Sequence, residues 1–381
     1  MPWEKQFDVD EVLDKARALP WAVVGVSALA LAVSVLWFSP ASPASDLPIR
    51  FDTQLSPEPL FSDAGSALVV SPDGTRLAYI VGDGNRRSLH IRTLDQLQGS
   101  PLSGTEEAYH PFFSPDGKWV GFVTRSELKK VSFSGGAPLT LCPVNISRGA
   151  SWAPDGQRVV FSADTSGATN IYWKRADGSG ETERLTDNQI TQWASSFSPD
   201  GKHILFHQSN SGTASDIFVL PLSGERKPEV FLQTPFTEAE AAFSHDGRWV
   251  AYQSNESGTV EIYVRPFPSG SGKWQISTNG GRYARWSPDG RELYYRNDDG
   301  LAVVSVDPSG ESFVADKPRQ LFDGPFLSLS IYGSTLADYD VSPDGKRFVM
   351  MQGEEQLRNT KVTVVFNWFE VLKKTFSAGG S

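Results

Sequence analysis

Short apolar runs separated by turn-forming residues cover most of the chain after residue 49. Arg76 to Ile80, Trp119 to Val123, Arg158 to Ser162, His203 to His207, Trp249 to Gln253, Glu292 to Arg296 and Arg347 to Met351 are rich in β-branched and aromatic residues. Runs of this kind, bounded by Gly, Pro, Asp and Ser, predict strands. A second set follows: Ser88 to Thr93, Leu128 to Phe133, Asn170 to Lys174, Asp216 to Leu220, Glu261 to Arg265 and Leu301 to Val306. Weaker runs such as Glu183 to Thr186 and Lys273 to Ile276 come third. Runs ahead of the first set, such as His110 to Phe113 and Trp193 to Phe197, complete units of four strands.

One tetrapeptide punctuates these units. Ser-Pro-Asp-Gly begins at Ser71, Ser114, Ser198, Ser287 and Ser342, with blurred copies at Ala153 to Gly156 and Ser244 to Gly247. Its Asp residues are Asp73, Asp116, Asp155, Asp200, Asp246, Asp289 and Asp344, at intervals of 43, 39, 45, 46, 43 and 55. A period of about 40–45 residues suits one four-stranded propeller blade. The expected fold is therefore all-β, a seven-bladed β-propeller of four-stranded blades over residues 49–374. Pro presets φ for the second position of a type I turn, Ser favours the first, and Gly reverses the chain at the fourth. Seven equivalent carboxylates in seven equivalent turns describe architecture, so the Asp reads as a structural turn former.

Ring closure is legible at the ends. The seventh repeat finishes with Lys361 to Phe366, and Ile49 to Leu55 can supply its missing outer strand, which would remove an open edge. Asn367 to Lys374 reads as a short terminal helix and 375–381 as a disordered tail. The interval before Asp344 holds about ten extra residues, placed in 324–338; a loop that breaks a repeat's period is either a tolerated insertion or a functional element.

Residues 20–38 carry no charge. At about 1.5 Å per residue such a stretch spans a bilayer core. Trp21 and Trp37 sit at its ends, where interfacial aromatics belong. A cleaved signal peptide is the competing reading; the apolar region is long for one. Lys5, Lys15 and Arg17 precede the stretch and only Arg50 follows nearby. The positive-inside rule then places 1–19 in the cytoplasm, 39–48 as a linker and the propeller outside the bacterial inner membrane, on the periplasmic side.

Composition narrows the chemistry. A net charge of −10 disfavours nucleic acid as a partner. Cys142 is the only cysteine, so no intrachain disulfide forms. No Gly-x-Ser-x-Gly elbow, Walker loop or EF-hand loop occurs. His203 and His207 would lie about 13 Å apart on a strand, too far to share one ion. No cofactor and no metal site are expected.

Phe-Ser-Pro-Asp-Gly-Lys followed by an apolar strand, with Asn170-Ile171-Tyr172 and Glu261-Ile262-Tyr263, resembles TolB-type, WD-repeat-like propellers. Leu94 to Leu97, Leu128 to Pro138 and Asn367 to Glu370 narrow the resemblance to the extracytoplasmic propellers of bacterial membrane-anchored Ser/Thr protein kinases. That resemblance implies a sensor module. There is no His-Arg-Asp loop, Asp-Phe-Gly or kinase-type glycine loop, so the expectation is the sensor half without its kinase domain.

Loops leading into the innermost strands would form the binding face. They supply Tyr109, His110, Arg148, Trp193, Glu240, Tyr283, Arg285 and Tyr339, a polar and aromatic mixture of the kind found at protein-recognition surfaces. The expected function is non-catalytic binding of a protein or peptide, as sensor or scaffold, anchored to the membrane through 20–38. The alternative is a hydrolase or lyase with its site at the channel mouth.

Overall fold

The computed structural model describes residues 49–366 apart from 57, 59, 61–66, 83–85, 97, 165–166, 211–213, 309, 311, 325–338, 346 and 352–360. Every regular element among these residues is a β-strand. None forms a helix long and apolar enough to cross a membrane. The expected cytoplasmic segment, membrane helix, linker, terminal helix and tail lie outside the described residues.

The described strands group into seven antiparallel sheets, most built outward from the centre in chain order. The first holds Leu68–Val70, Arg76–Val81, Ser88–Thr93 and Ser100–Pro101. The second holds Tyr109–Phe113, Trp119–Val123, Glu127–Ser132 and Leu139–Pro143. In the third are Ile146–Trp152, Arg158–Asp164, Thr169–Arg175 and Glu183–Arg184. Gln192–Phe197, His203–Asn210, Ala214–Pro221 and Glu229–Leu232 make the fourth. Glu238–Phe243, Trp249–Ser254, Glu261–Pro266 and Trp274–Gln275 make the fifth.

The sixth sheet departs from the four-strand plan. After Arg282–Trp286, Glu292–Arg296 and Gly300–Asp307, two strands share the outer position: Val314–Ala315 pairs one end of Gly300–Asp307 and Arg319–Asp323 pairs the other. Part of the long last interval lies here. Residues 308–318 separate the third strand from Arg319–Asp323, a longer connection than 176–182, 222–228 or 267–273 in the preceding sheets. Of the insertion placed at 324–338, all but Gly324 falls outside the described residues. The seventh sheet holds Tyr339–Val341, Arg347–Met351 and Lys361–Phe366, and its outermost strand is Ile49–Gln54, from the other end of the chain. Ile49 lies opposite Phe366 and Gln54 opposite Lys361. The strand is where the sequence analysis places it.

Both faces of each sheet are covered, which is why the second strands read as continuous apolar runs rather than alternating ones. Successive side chains point to opposite faces. Val159 and Phe161 accordingly pack against the second sheet with Phe112 and Trp152, whereas Val160 joins Ile204 and Phe206 of the fourth. Leu205 packs with Val250 and Tyr252 of the fifth sheet, and Ala251 with Leu293 and Tyr295 of the sixth. Ile80 meets Val120 and Phe122 between the first and second sheets, and Tyr79 meets Val349 and Met351 between the first and seventh. Tyr294 and Phe348, with ring centroids 4.9 Å apart, join the sixth to the seventh. The core is thus distributed between neighbouring sheets around a closed circuit.

The tetrapeptide turns are built alike. The Gly117 N–H donates to the Ser114 carbonyl at 2.8 Å, and Gly117 has φ +67°, the left-handed conformation that a Cβ penalises. This is a type I turn closed by a G1 bulge. The Ser114 hydroxyl donates to Asp116 and accepts from the Trp119 N–H; the Asp116 carboxylate also accepts from the Lys118 N–H. The Ser114 hydrogen bond, followed by the Lys118 contacts, lowers the Asp116 pKa despite some burial. At Asp73 burial pushes upward, but bonds from Ser71 and Thr75 and the Arg76 charge outweigh it, to about 2. In the third turn Ala153 replaces Ser, yet the Gly156 N–H still reaches the Ala153 carbonyl at 2.9 Å. The hydroxyl therefore reinforces the turn without being required for it.

The Asn-Ile-Tyr and Glu-Ile-Tyr motifs also have structural work. Asn170 is fully buried and accepts from the Asn188 N–H, while the Ile171 N–H donates to Thr186 Oγ1. Glu261 accepts from the Gly280 N–H and the Ser277 hydroxyl. The polar residue ties the third strand to the loop leading into the next sheet.

Candidate functional site

Each innermost strand is an edge strand, with one row of backbone groups unpaired by its own sheet. In most of the sheets the strand is also bulged, six residues before the repeated Asp or next to that position. His110, Gly149, Glu240 and Tyr283 occupy this position with φ of 51°, 59°, 53° and 57°, and the register shifts at each. Gly149 shows the conformation at no steric cost. The other three hold it against a penalty of about 1–2 kcal/mol each. A bulge re-aims side chains and frees backbone groups.

Side chains of neighbouring sheets take up those groups. The Val70 N–H donates to Asp340 Oδ2 at 2.9 Å, and the Ala194 N–H to Ser162 Oγ at 3.0 Å. The Phe243 N–H reaches Ser196 Oγ at 3.4 Å and the Tyr283 N–H reaches Gln253 Oε1 at 3.5 Å. Tyr339 donates its hydroxyl to the Tyr283 carbonyl at 2.7 Å, and Arg87 Nε donates to the Ala108 carbonyl at 2.9 Å. His110 Nε2 lies 3.0 Å from both the nitrogen and the oxygen of Ala150. Every neighbouring pair of sheets is stitched in this way.

The strands enclose a central cavity of about 440 Å³. Its walls mix apolar residues (Val69, Phe112, Phe197, Val341) with Ser151, Ser195 and Ser196; among the described residues its ionisable lining groups are His110, Arg285 and Asp340. Burial drives the His110 pKa down to about 4; the Ala150 bond opposes this and the Arg285 charge adds to it, so the ring is neutral at ordinary pH. Burial raises the Asp340 pKa, opposed by Arg285 and by N–H donation from Val70 and Val341. Arg285 is exposed within the cavity and makes no hydrogen bond or ion pair with any described residue. Ser195 Oγ lies 3.2 Å from His207 Nδ1.

The sequence candidates separate accordingly. His110 and Arg285 line the cavity together. Tyr339 is buried, and its hydroxyl is a clasp between sheets. Tyr109 lies under the Arg87 guanidinium, 5.3 Å from ring centroid to charge, and Trp193 packs on His207 at 5.1 Å. Tyr283 lines a different, polar cleft of about 550 Å³ with Asn255, Asn279, Arg282 and Asn297. Glu240 is half-buried at its bulge and lines neither space. The Arg148 side chain lies outside the described part of the structure.

Sequence reasoning missed Asp340, Ser151 and Ser196. A spacing rule finds them: the residue four before each repeated Asp is Val69, Phe112, Ser151, Ser196, Ala242, Arg285 or Asp340. All but Ala242 line the cavity. Among the described residues no group of three or more His, Cys, Asp or Glu is placed to hold a metal ion.

Residues 180–317 match the family described as TolB beta propeller domain. An uncharacterized protein, Atu1656, of Agrobacterium fabrum is 26% identical over 166 residues, 39% of this chain and 55% of that protein. The uncharacterized peptidase YuxL of Bacillus subtilis is 26% identical over 185 residues, 36% of this chain and 28% of that protein. The chain thus spans about half, or less, of these curated relatives. Among solved structures, an oligogalacturonate lyase in complex with manganese superposes with a TM-score of 0.64 at 11% identity, covering 84% of this chain and 96% of the other. The Vibrio parahaemolyticus oligogalacturonate lyase gives 0.63 at 13%, covering 84% and 96%. TolB from Acinetobacter baumannii gives 0.48 at 22%, covering 65% and 66%. At such identities the two lyase superpositions speak for the fold alone. The described residues form an all-β propeller of mainly four-stranded sheets, and residues 180–317 match the TolB beta propeller domain.

Proposed function

We propose that the protein is a non-catalytic binding module, in which the seven sheets form one closed, seven-bladed ring whose central cavity receives a peptide segment of a partner protein. The observation that supports this most is the state of the ionisable groups in the cavity. His110 is held neutral and bonded to Ala150, and Asp340 is occupied by two backbone N–H groups. Neither is poised for proton transfer, whereas Arg285 and the Ser151 side chain are exposed and available for contact. A sensor or scaffold role outside a membrane, anchored by the uncharged stretch 20–38, belongs to the same proposal. Protease added outside intact spheroplasts should digest the propeller; protection there, with digestion only after lysis, would refute that placement.

The hydrolase or lyase reading rests on one contact, Ser195 Oγ to His207 Nδ1. Both readings meet in one experiment. Peptides selected from a random display library for binding to the full chain are tested against wild type, Ser151→Trp and Ser195→Ala. Binding module behaviour means intact peptides that bind wild type and fail on Ser151→Trp. Peptides returned cleaved, with cleavage abolished in Ser195→Ala, would replace the binding reading with the enzymatic one.

A further inference from the structure

Among the charged groups described in the cavity, Arg285 alone keeps its bonding capacity open. Arg285 lies at the same register position as Asp340 on the adjoining sheet, four residues before the repeated Asp. Position alone does not pair them, since Arg285 has no hydrogen bond or ion pair with any described residue. Asp340 is held elsewhere, with Oδ2 accepting from Val70 N–H at 2.9 Å and Oδ1 from Val341 N–H at 3.0 Å. The guanidinium therefore keeps its planar fork of donors, the geometry that grips a carboxylate with two parallel bonds.

The surroundings restrict what could use that fork. Among the described residues Arg285 is the only Lys or Arg lining the cavity, and the Asp340 carboxylate is close enough to feel it. One positive charge beside one negative charge suits a single negative charge better than a phosphate dianion. A volume of about 440 Å³ is at the small end for a ligand pocket. It accommodates one extended chain end more readily than a loop, which needs two chains abreast. Val69, Phe112 and Val341 give the last side chain apolar walls, and Ser151 offers its hydroxyl to the backbone.

We infer that the cavity captures the free C-terminal carboxylate of a peptide on Arg285. This rests on the peptide-binding reading above and names its ligand class. Terminal carboxylates are a recurring handle in peptide recognition.

The test uses the full chain and two probes: a pool of random pentapeptides with free C-terminal carboxylates, and the same pool amidated. Peptides retained by wild type, Arg285→Gln and Asp340→Asn are quantified by mass spectrometry. Wild type should retain the acid pool about tenfold better than the amide pool, the scale of one solvent-accessible charge-assisted pair. Arg285→Gln should bring that ratio to about one in a chain that still unfolds cooperatively, because Arg285 makes no hydrogen bond or ion pair with a described residue; Asp340→Asn, which removes the competing charge, should raise the ratio. Equal retention of both pools by wild type overturns the inference and leaves peptide binding in place. Retention of neither pool overturns both. Enrichment of Asp- or Glu-containing peptides in both pools alike also overturns it, because the charge recognised would be a side chain's.

Discussion

Two buried residues give this protein an unusual dependence on pH, and their effects have opposite sign. His110 has a folded pKa of about 4, below its ordinary 6.5. The unfolded chain takes up that proton first, so the His110 contribution is complete above about 6.5 and disappears as pH falls towards 4. Glu292 is raised from 4.5 to about 7, chiefly by burial, although the Tyr294 hydroxyl at 2.6 Å and the Arg319 charge work against the shift. Here the folded state holds the proton longer, so its contribution is complete below about 4.5 and is lost as pH rises through 7. Each is worth up to about 3 kcal/mol across its window. Between pH 4.5 and 6.5 the two slopes cancel in the wild type. Denaturant titrations in that window should show stability rising with pH in Glu292→Gln and falling with pH in His110→Asn, whose Asn tolerates the positive φ. Parallel pH profiles for all three proteins would show that neither group is shifted as described. The same residues mark what a sequence withholds. The repeated Asp residues are readable because each turn is local, whereas the neutrality of His110 comes from its burial against a neighbouring sheet, beside Ala150, 40 positions away.

Among the elements, the strand Ile49–Gln54 carries the most consequence for its size. It pairs with Lys361–Phe366 along six residue positions and completes the outer edge of the seventh sheet. Removing it leaves Lys361–Phe366 as an unpaired edge beside the first sheet. A chain beginning at Leu55 should melt at least about 10 °C lower than the same chain beginning at Ile49, in line with the loss of several kcal/mol from a large domain. An unchanged Tm would mean that the strand decorates the ring instead of closing it. Strand positions were legible throughout, because apolar runs bounded by Gly, Pro, Asp and Ser specify their own ends: Trp119–Val123, Glu292–Arg296 and Ser88–Thr93 fall where the runs do. The doubled outer strand of the sixth sheet was not. Val314–Ala315 is two residues long and depends on its partner, Val306 and Asp307, for its existence.

At the scale of the whole molecule, the lining of the central cavity converges on the register position four residues before each repeated Asp. Ser151, Ser196 and Arg285 each follow a bulge of their inner strand and share one cavity with Asp340, although 189 positions separate Ser151 from Asp340. Half of the aromatic and charged candidates taken from the loops serve the ring itself: Tyr339 as a clasp, Tyr109 under Arg87, Trp193 against His207, and His110 as an inter-sheet bond. Residue type alone did not separate these from Arg285, because the distinction lies in whether a group's bonds are already made.

The most direct measurement is the affinity of a peptide selected on the wild-type chain, compared by fluorescence anisotropy between wild type, Ser151→Trp and Val230→Trp. Ser151 is exposed on the cavity wall and Val230 is exposed on an outermost strand. A Trp side chain brings bulk of the order of 150–250 Å² of surface, enough to obstruct a cavity of this size. Binding should weaken by at least about a hundredfold, or about 2.7 kcal/mol, in Ser151→Trp and stay within about twofold of wild type in Val230→Trp, with Tm unchanged in both. Equal affinity in wild type and Ser151→Trp, or loss confined to Val230→Trp, would place the binding surface outside the central cavity and contradict the account.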